Sequence, residues 1–216
     1  MPKSKLIKDK ENIILRCYNG EMRAREEDEK GIIEGYAIVY DSMTDLGYFN
    51  EIIEAGALEG TNLKDVRLLV NHNTDMIPLA RSRNNNENST MQLIVDKKGL
   101  FVRIKLDIEN NSDARNLYSA IKRGDITGMS FMFTIDDELW EDLESDHPTR
   151  HIKRIGTVFE VSAVTFPAYE ATDISARDAE ALESAKATLD SVRSRSLESD
   201  KEALELAKAK NRNKFF

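Results

Sequence analysis

Only three histidines occur in the 216 residues, so the search for a general base is short. His147 and His151 stand in an acidic stretch, separated by Pro148-Thr149-Arg150. A metal there would need Asp146 or Glu144 as further ligands and a fixed geometry, so solvated loop histidines are expected and no metal or cofactor site is assigned. His72 differs, because it closes the apolar run Val66 to His72 just before the turn residues Asn73, Asp75 and Pro78. Strand alternation would put it on one face with Leu68 and Val70, held by the fold yet able to reach a cleft. Taken alone, it is either a base or a satisfied structural histidine.

The serine of interest is Ser130, in Gly128-Met129-Ser130-Phe131-Met132-Phe133. Met129, Phe131, Phe133 and Ile135 alternate onto one apolar face, so Ser130 points the other way with Gly128, where a substrate backbone would find room. The segment resembles a G-x-S-x-G elbow only superficially. Met132 replaces the second glycine and no strand-turn-helix is expected, which excludes an α/β-hydrolase. A carboxylate that could complete such chemistry is Glu160, inside the apolar run Val158 to Ala163. Buried unpaired it would cost several kcal/mol, so it needs a partner, and an imidazole is a natural one. An outward-facing strand glutamate is the alternative. The single cysteine, Cys17, sits in Ile13-Ile14-Leu15-Arg16-Cys17-Tyr18 and reads as a small buried hydrophobe; no intramolecular disulfide is available.

The elements that must position these groups are mostly strands. Runs at Ile32–Tyr40, Tyr48–Ile53, Val66–His72, Met91–Val95, Leu100–Leu106, Thr127–Ile135 and Thr157–Phe166 are apolar or β-branched and separated by turn residues. Seven or so short strands predict a barrel or sandwich. One helix is expected after Ser112 or Asp113, with Ala114, Leu117, Tyr118 and Ile121 at helical spacing and Gly124 as its stop. Residues 136–150 are acidic and carry a proline, which predicts an exposed excursion between two strands with Trp140 as a local anchor. The chain thus divides into an N-terminal segment at 1–30 with room for a first strand, a folded body at 31–176, and a tail at 177–216. That tail, rich in Ala, Glu, Lys, Ser and Leu, reads as a long helix or a partly disordered segment.

Hydrophobic residues make up 40% of the chain, enough for one substantial core. A net charge of −8, with no Lys/Arg cluster before Lys208, argues against nucleic acid as a partner. No apolar stretch approaches a membrane span, and the lysines near the start precede no apolar run of signal-peptide length, so a soluble intracellular protein is expected.

Taken in order, EGYAIVYDS, YFNEIIEAGAL, LLVNHNTDMIPLARS, KKGLFVRIKL, ARNLYSAIKRGDITGMSFMF and FEVSAVTFPAYEATD resemble the prohead (procapsid) maturation serine proteases of tailed bacteriophages. That family is similar in fold to the herpesvirus assembly protease. The resemblance covers Gly31 to Asp173. It departs from the usual pattern at Leu58, Ala80 and Met132, of which Met132 lies nearest the chemistry. It implies an α+β, mainly β fold with a few helices: a distorted β-barrel followed by a helical tail. It also implies a serine endopeptidase without cofactor, with His72 as base, Ser130 as nucleophile and Glu160 as third member, favoured over Asp173. Oxyanion donors would be the backbone N–H groups of Ala168 or Tyr169, since Pro167 has none. Implied substrates are scaffold, the N-terminal segment of the major capsid protein, and the protease itself, cut inside the assembling prohead in the host cytoplasm. A dimer or concentration-dependent assembly is implied too. Two other readings use the same residues differently: a non-enzymatic assembly protein that keeps the fold, and a small serine esterase or amidase.

Overall fold

The computed structural model describes residues 13–18, 22–25, 31–165, 180–191 and 193. Among them the alternating and β-branched runs form eleven strands. These are β1 (Ile13–Tyr18), β2 (Arg23–Ala24), β3 (Ile32–Val39), β4 (Thr44–Asp45), β5 (Asn50–Ile53), β6 (Asp65–Val70) and β7 (Ala80–Arg83). They continue with β8 (Met91–Val95), β9 (Gly99–Lys105), β10 (Gly128–Glu141) and β11 (Thr149–Val164). One helix, α1 (Ser112–Arg123), lies between β9 and β10, and a second, α2, covers 180–191 and 193. The fold is mainly β, as the alternation predicted. Its strands form two sheets, one of seven strands in the order β1-β10-β11-β5-β4 with β6 on β11 and β7 on β6, and one of four in the order β2-β3-β9-β8. They are not closed into one barrel. No described helix is long and apolar enough to cross a membrane.

The two sheets share one buried cluster. Met129, Phe131 and Phe133 of β10 meet Val158 and Val161 of β11, with Ile33, Ile38, Val102 and Ile104 from the smaller sheet. The inward residues of β10 are those the two-residue period selects. In β11 the period breaks: a register shift opposite Met132 and Phe133 inserts Phe159 as a bulge, so Val158 and Val161 both reach the core. Glu160 is thereby turned to the opposite face, beside Ser162.

Three local outcomes differ from the expectations. The helix cap is Asn111, whose side chain accepts from the N–H groups of Asp113 and Ala114; Gly124 ends the helix in the left-handed region, as expected. The acidic segment is strand at both ends, since β10 and β11 stay paired out to Glu141 and Thr149, with a turn at 142–148 between them. Charge forbids burial but not a ribbon with wet faces, and Trp140 anchors it edge-on to buried Phe49, with ring centroids 4.8 Å apart. Arg150 is bonded to Glu138 across the same ribbon. Finally, β6 stops at Val70, and His72 is not a strand residue. Asn71 and His72 both take positive φ, 50° and 56°, and the Asn73 N–H bonds back to the Val70 carbonyl at 3.1 Å. This is a two-residue turn of the type I′ kind. It breaks the alternation and swings His72 off the face of Leu68 and Val70.

Candidate active site

The turn after β6 brings His72 to the Glu160 side of β11. Each non-glycine residue in the left-handed region costs roughly 1–2 kcal/mol, so this turn persists only because its surroundings hold it. Asn71 does much of that holding: its N–H bonds to the Ala163 carbonyl at 3.0 Å. Its side chain accepts from the Thr165 N–H at 2.9 Å and donates to the Thr165 hydroxyl at 3.1 Å. The His72 N–H is in turn fixed by the Ser162 hydroxyl oxygen at 3.1 Å.

His72 Nδ1 and Glu160 Oε1 are 2.5 Å apart. The other carboxylate oxygen accepts from the Ser162 hydroxyl at 2.6 Å. Glu160, only 3% exposed, is therefore paired as its burial demanded. Ser162 completes the arrangement by bridging the carboxylate and the backbone of the histidine it orients. With Nδ1 committed to the carboxylate, Nε2 remains the free end of the ring; it is buried and has no hydrogen-bond partner.

Ser130 lies on the same face. It pairs directly with Ser162 on β11 and with Cys17 on β1, and cross-strand partners share a face. The expectation that its surroundings leave room is corrected: Ser130 is fully buried. Its hydroxyl donates to the Arg16 carbonyl at 2.8 Å and accepts from the Cys17 thiol at 3.1 Å. Among the described residues no hydrogen bond joins Ser130 to His72. Cys17 is thus no inert hydrophobe; it is half-buried, on Ser130 and against the imidazole. Burial pulls the His72 pKa down, but the Cys17 thiol and the Glu160 carboxylate outweigh it and hold the ring's pKa at about 9.

The remaining candidates lie elsewhere. His147 is paired with Asp45 at 3.3 Å, and His151 with Glu54 at 3.2 Å and Glu141 at 3.4 Å. Glu144 is engaged by Arg193 of α2, and no metal-binding cluster occurs among the described residues. Ala168, Tyr169 and Asp173 lie outside the described residues. Sequence reasoning missed Ser162, although Glu-x-Ser on a strand puts both side chains on one face. It also missed the position of Cys17, which depends on a pairing across more than a hundred residues and left no local signal.

A histidine held by a buried carboxylate beside a strand serine is the kind of arrangement that serine hydrolases use. The chain belongs to the caudovirus prohead serine protease family, whose model matches residues 19–187. The solved structure of the bacteriophage T4 capsid assembly protease is similar to it, with 12% identity and a TM-score of 0.41 over 72% of this chain and 98% of that one. No curated protein matches the chain.

Proposed function

We propose that the chain is an endopeptidase of prohead maturation in which Ser130 is the nucleophile, His72 the general base and Glu160 the group that orients and charges-balances the base. The observation that carries this reading is the buried Glu160 carboxylate on His72 Nδ1, which leaves Nε2 as the proton acceptor. In the reaction Ser130 Oγ would attack the substrate carbonyl carbon while Nε2 takes its proton, and Glu160 would stabilise the resulting imidazolium. The tetrahedral intermediate would collapse as the imidazolium returns that proton to the leaving amine. Water, activated by the same base, would then release the acyl group. Ala168 or Tyr169 would supply backbone N–H groups to the oxyanion.

The substrates under this reading are scaffold, the N-terminal segment of the capsid protein and the chain itself, cut within the assembling shell in the host cell. Residues 31–176 would be the catalytic body. The 177–216 tail would target the enzyme to scaffold and then be trimmed, and a dimer or higher assembly would raise activity inside the shell.

The test is intact-mass analysis of the wild type beside Ser130→Ala, each incubated at high concentration with the scaffold encoded by the same phage. Cleavage by the wild type and none by the mutant is expected. Equal cleavage by both would move the nucleophile elsewhere, and no cleavage by either would favour a non-enzymatic assembly protein. Hydrolysis of simple esters but of no protein would favour the esterase reading.

A further inference from the structure

Ser130 has no exposed surface, so no substrate atom reaches it in this arrangement. Its one donor and one of its two acceptor lone pairs are engaged by a single strand. The Cys17 thiol donates to one lone pair, and the Arg16 carbonyl accepts the proton that a general base would have to remove. Both partners belong to β1, among the described residues an edge strand of the larger sheet, which runs antiparallel to β10 from Ile13 opposite Thr134 to Tyr18 opposite Met129. The nucleophilic strand thus already carries an extended peptide, with one of its carbonyls on the serine hydroxyl.

We propose that β1 occupies the place of an extended peptide substrate on the edge of β10, and that residues 13–18 must leave that edge before Ser130 can be acylated. The proposal rests on Ser130 being the nucleophile. A substrate adding to the vacated edge would replace the β1 backbone pairs one for one, which makes the exchange nearly neutral in main-chain hydrogen bonds.

The anchor of β1 is also built for exchange. Arg16, 3% exposed, is bonded to Glu51 through Nε at 2.5 Å and Nη2 at 2.8 Å. Withdrawing Arg16 would ordinarily strand a buried carboxylate at high cost. Here Arg150 Nη1 lies 3.6 Å from Glu51 Oε2 and has no hydrogen-bond partner of its own. A second guanidinium therefore stands beside Glu51, placed to take over the carboxylate when β1 departs. In the closed state Cys17 also helps to keep His72 protonated, which withholds the base as well as the nucleophile.

The test uses the full chain and a fluorophosphonate probe, with the label located on Ser130 by peptide mass. Two altered proteins are compared with the wild type. One is Arg16→Ala, which loosens β1. The other is the triple change Leu15→Cys, Cys17→Ser, Met132→Cys, whose two new cysteines face each other across the β1–β10 register and can be joined or separated by oxidation and reduction. We expect Arg16→Ala to be labelled about tenfold faster and the oxidised staple about tenfold more slowly than the same protein reduced. Equal labelling of the oxidised and reduced staple would overturn the proposal, because that comparison holds sequence and fold constant. If Ser130 stays unlabelled in every form while the main-chain amides of residues 13–18 exchange rapidly with deuterium in the wild type, β1 is leaving the edge and it is the nucleophile assignment that fails.

Discussion

His72 is pulled in two directions, and the balance decides when it can act. Burial disfavours its charge, while Cys17 and Glu160 favour it and win, so the ring is protonated at neutral pH with a pKa of about 9. A general base must be uncharged, so labelling of Ser130 should rise with pH around a midpoint near 9. Cys17→Ala removes one of the two raising partners and should move that midpoint to lower pH without abolishing reaction. An unmoved midpoint would show that Cys17 has no hold on the ring. The sign for stability follows from the same shift. The folded pKa lies above the ordinary 6.5, so this contribution is fully present below 6.5 and is lost as pH rises through about 9. Ser162 touches no reacting atom and acts as a positioning residue through Glu160 and the His72 backbone. Ser162→Ala should lower kcat about tenfold to a hundredfold with KM little changed, and Ser162→Thr should restore part of it. Equal loss in both variants would mean that packing at this site, and not the hydroxyl, is what matters.

At the scale of elements, the site depends on interruptions of regular structure. The left-handed pair Asn71 and His72 turns the histidine out of β6, and the Phe159 bulge turns Glu160 out of the core face of β11. Neither device involves a glycine or a proline, so neither announces itself in the residue types. Helix α1 shows the opposite case, with its stop at Gly124 legible and its start within one or two residues. Its Asn111 cap satisfies two otherwise orphan N–H groups, and Asn111→Ala should cost about 1 kcal/mol, read as a lowered Tm or a lower denaturant midpoint. An unchanged midpoint would mean that Ser112 takes over the cap. Acidic residues and a proline at 136–150 predict an exposed excursion, and the segment is largely exposed, but it carries the ends of β10 and β11. A strand needs only main-chain pairing, and Trp140 on Phe49 and Arg150 on Glu138 supply side-chain anchorage.

Across the whole molecule, local pattern was enough for the mainly β class and for the inward residues of β10, and it offered three candidate residues whose roles came only with the family resemblance. His72 stood out as the one histidine tied to an apolar run, Ser130 as the polar residue of an alternating strand, and Glu160 as a carboxylate with nowhere apolar to go. Picking out such candidates needs only the two-residue period of a strand and the cost of burying charge, both properties of short segments; their roles as base, nucleophile and third member are what the resemblance implies. The division of the strands into two sheets, the parallel pairing of β6 with β11 that sets His72 beside Glu160, and the seat of β1 against Ser130 were beyond that reach. Each joins segments far apart in the chain, and the energies that select them come from core packing and from buried pairs such as Arg16 with Glu51. Side-chain type and alternation are local, so the residues alone could name candidates for the chemistry, and the resemblance gave them roles. That the serine lies buried against β1 follows from the tertiary structure, because strand order is chosen by the whole core at once.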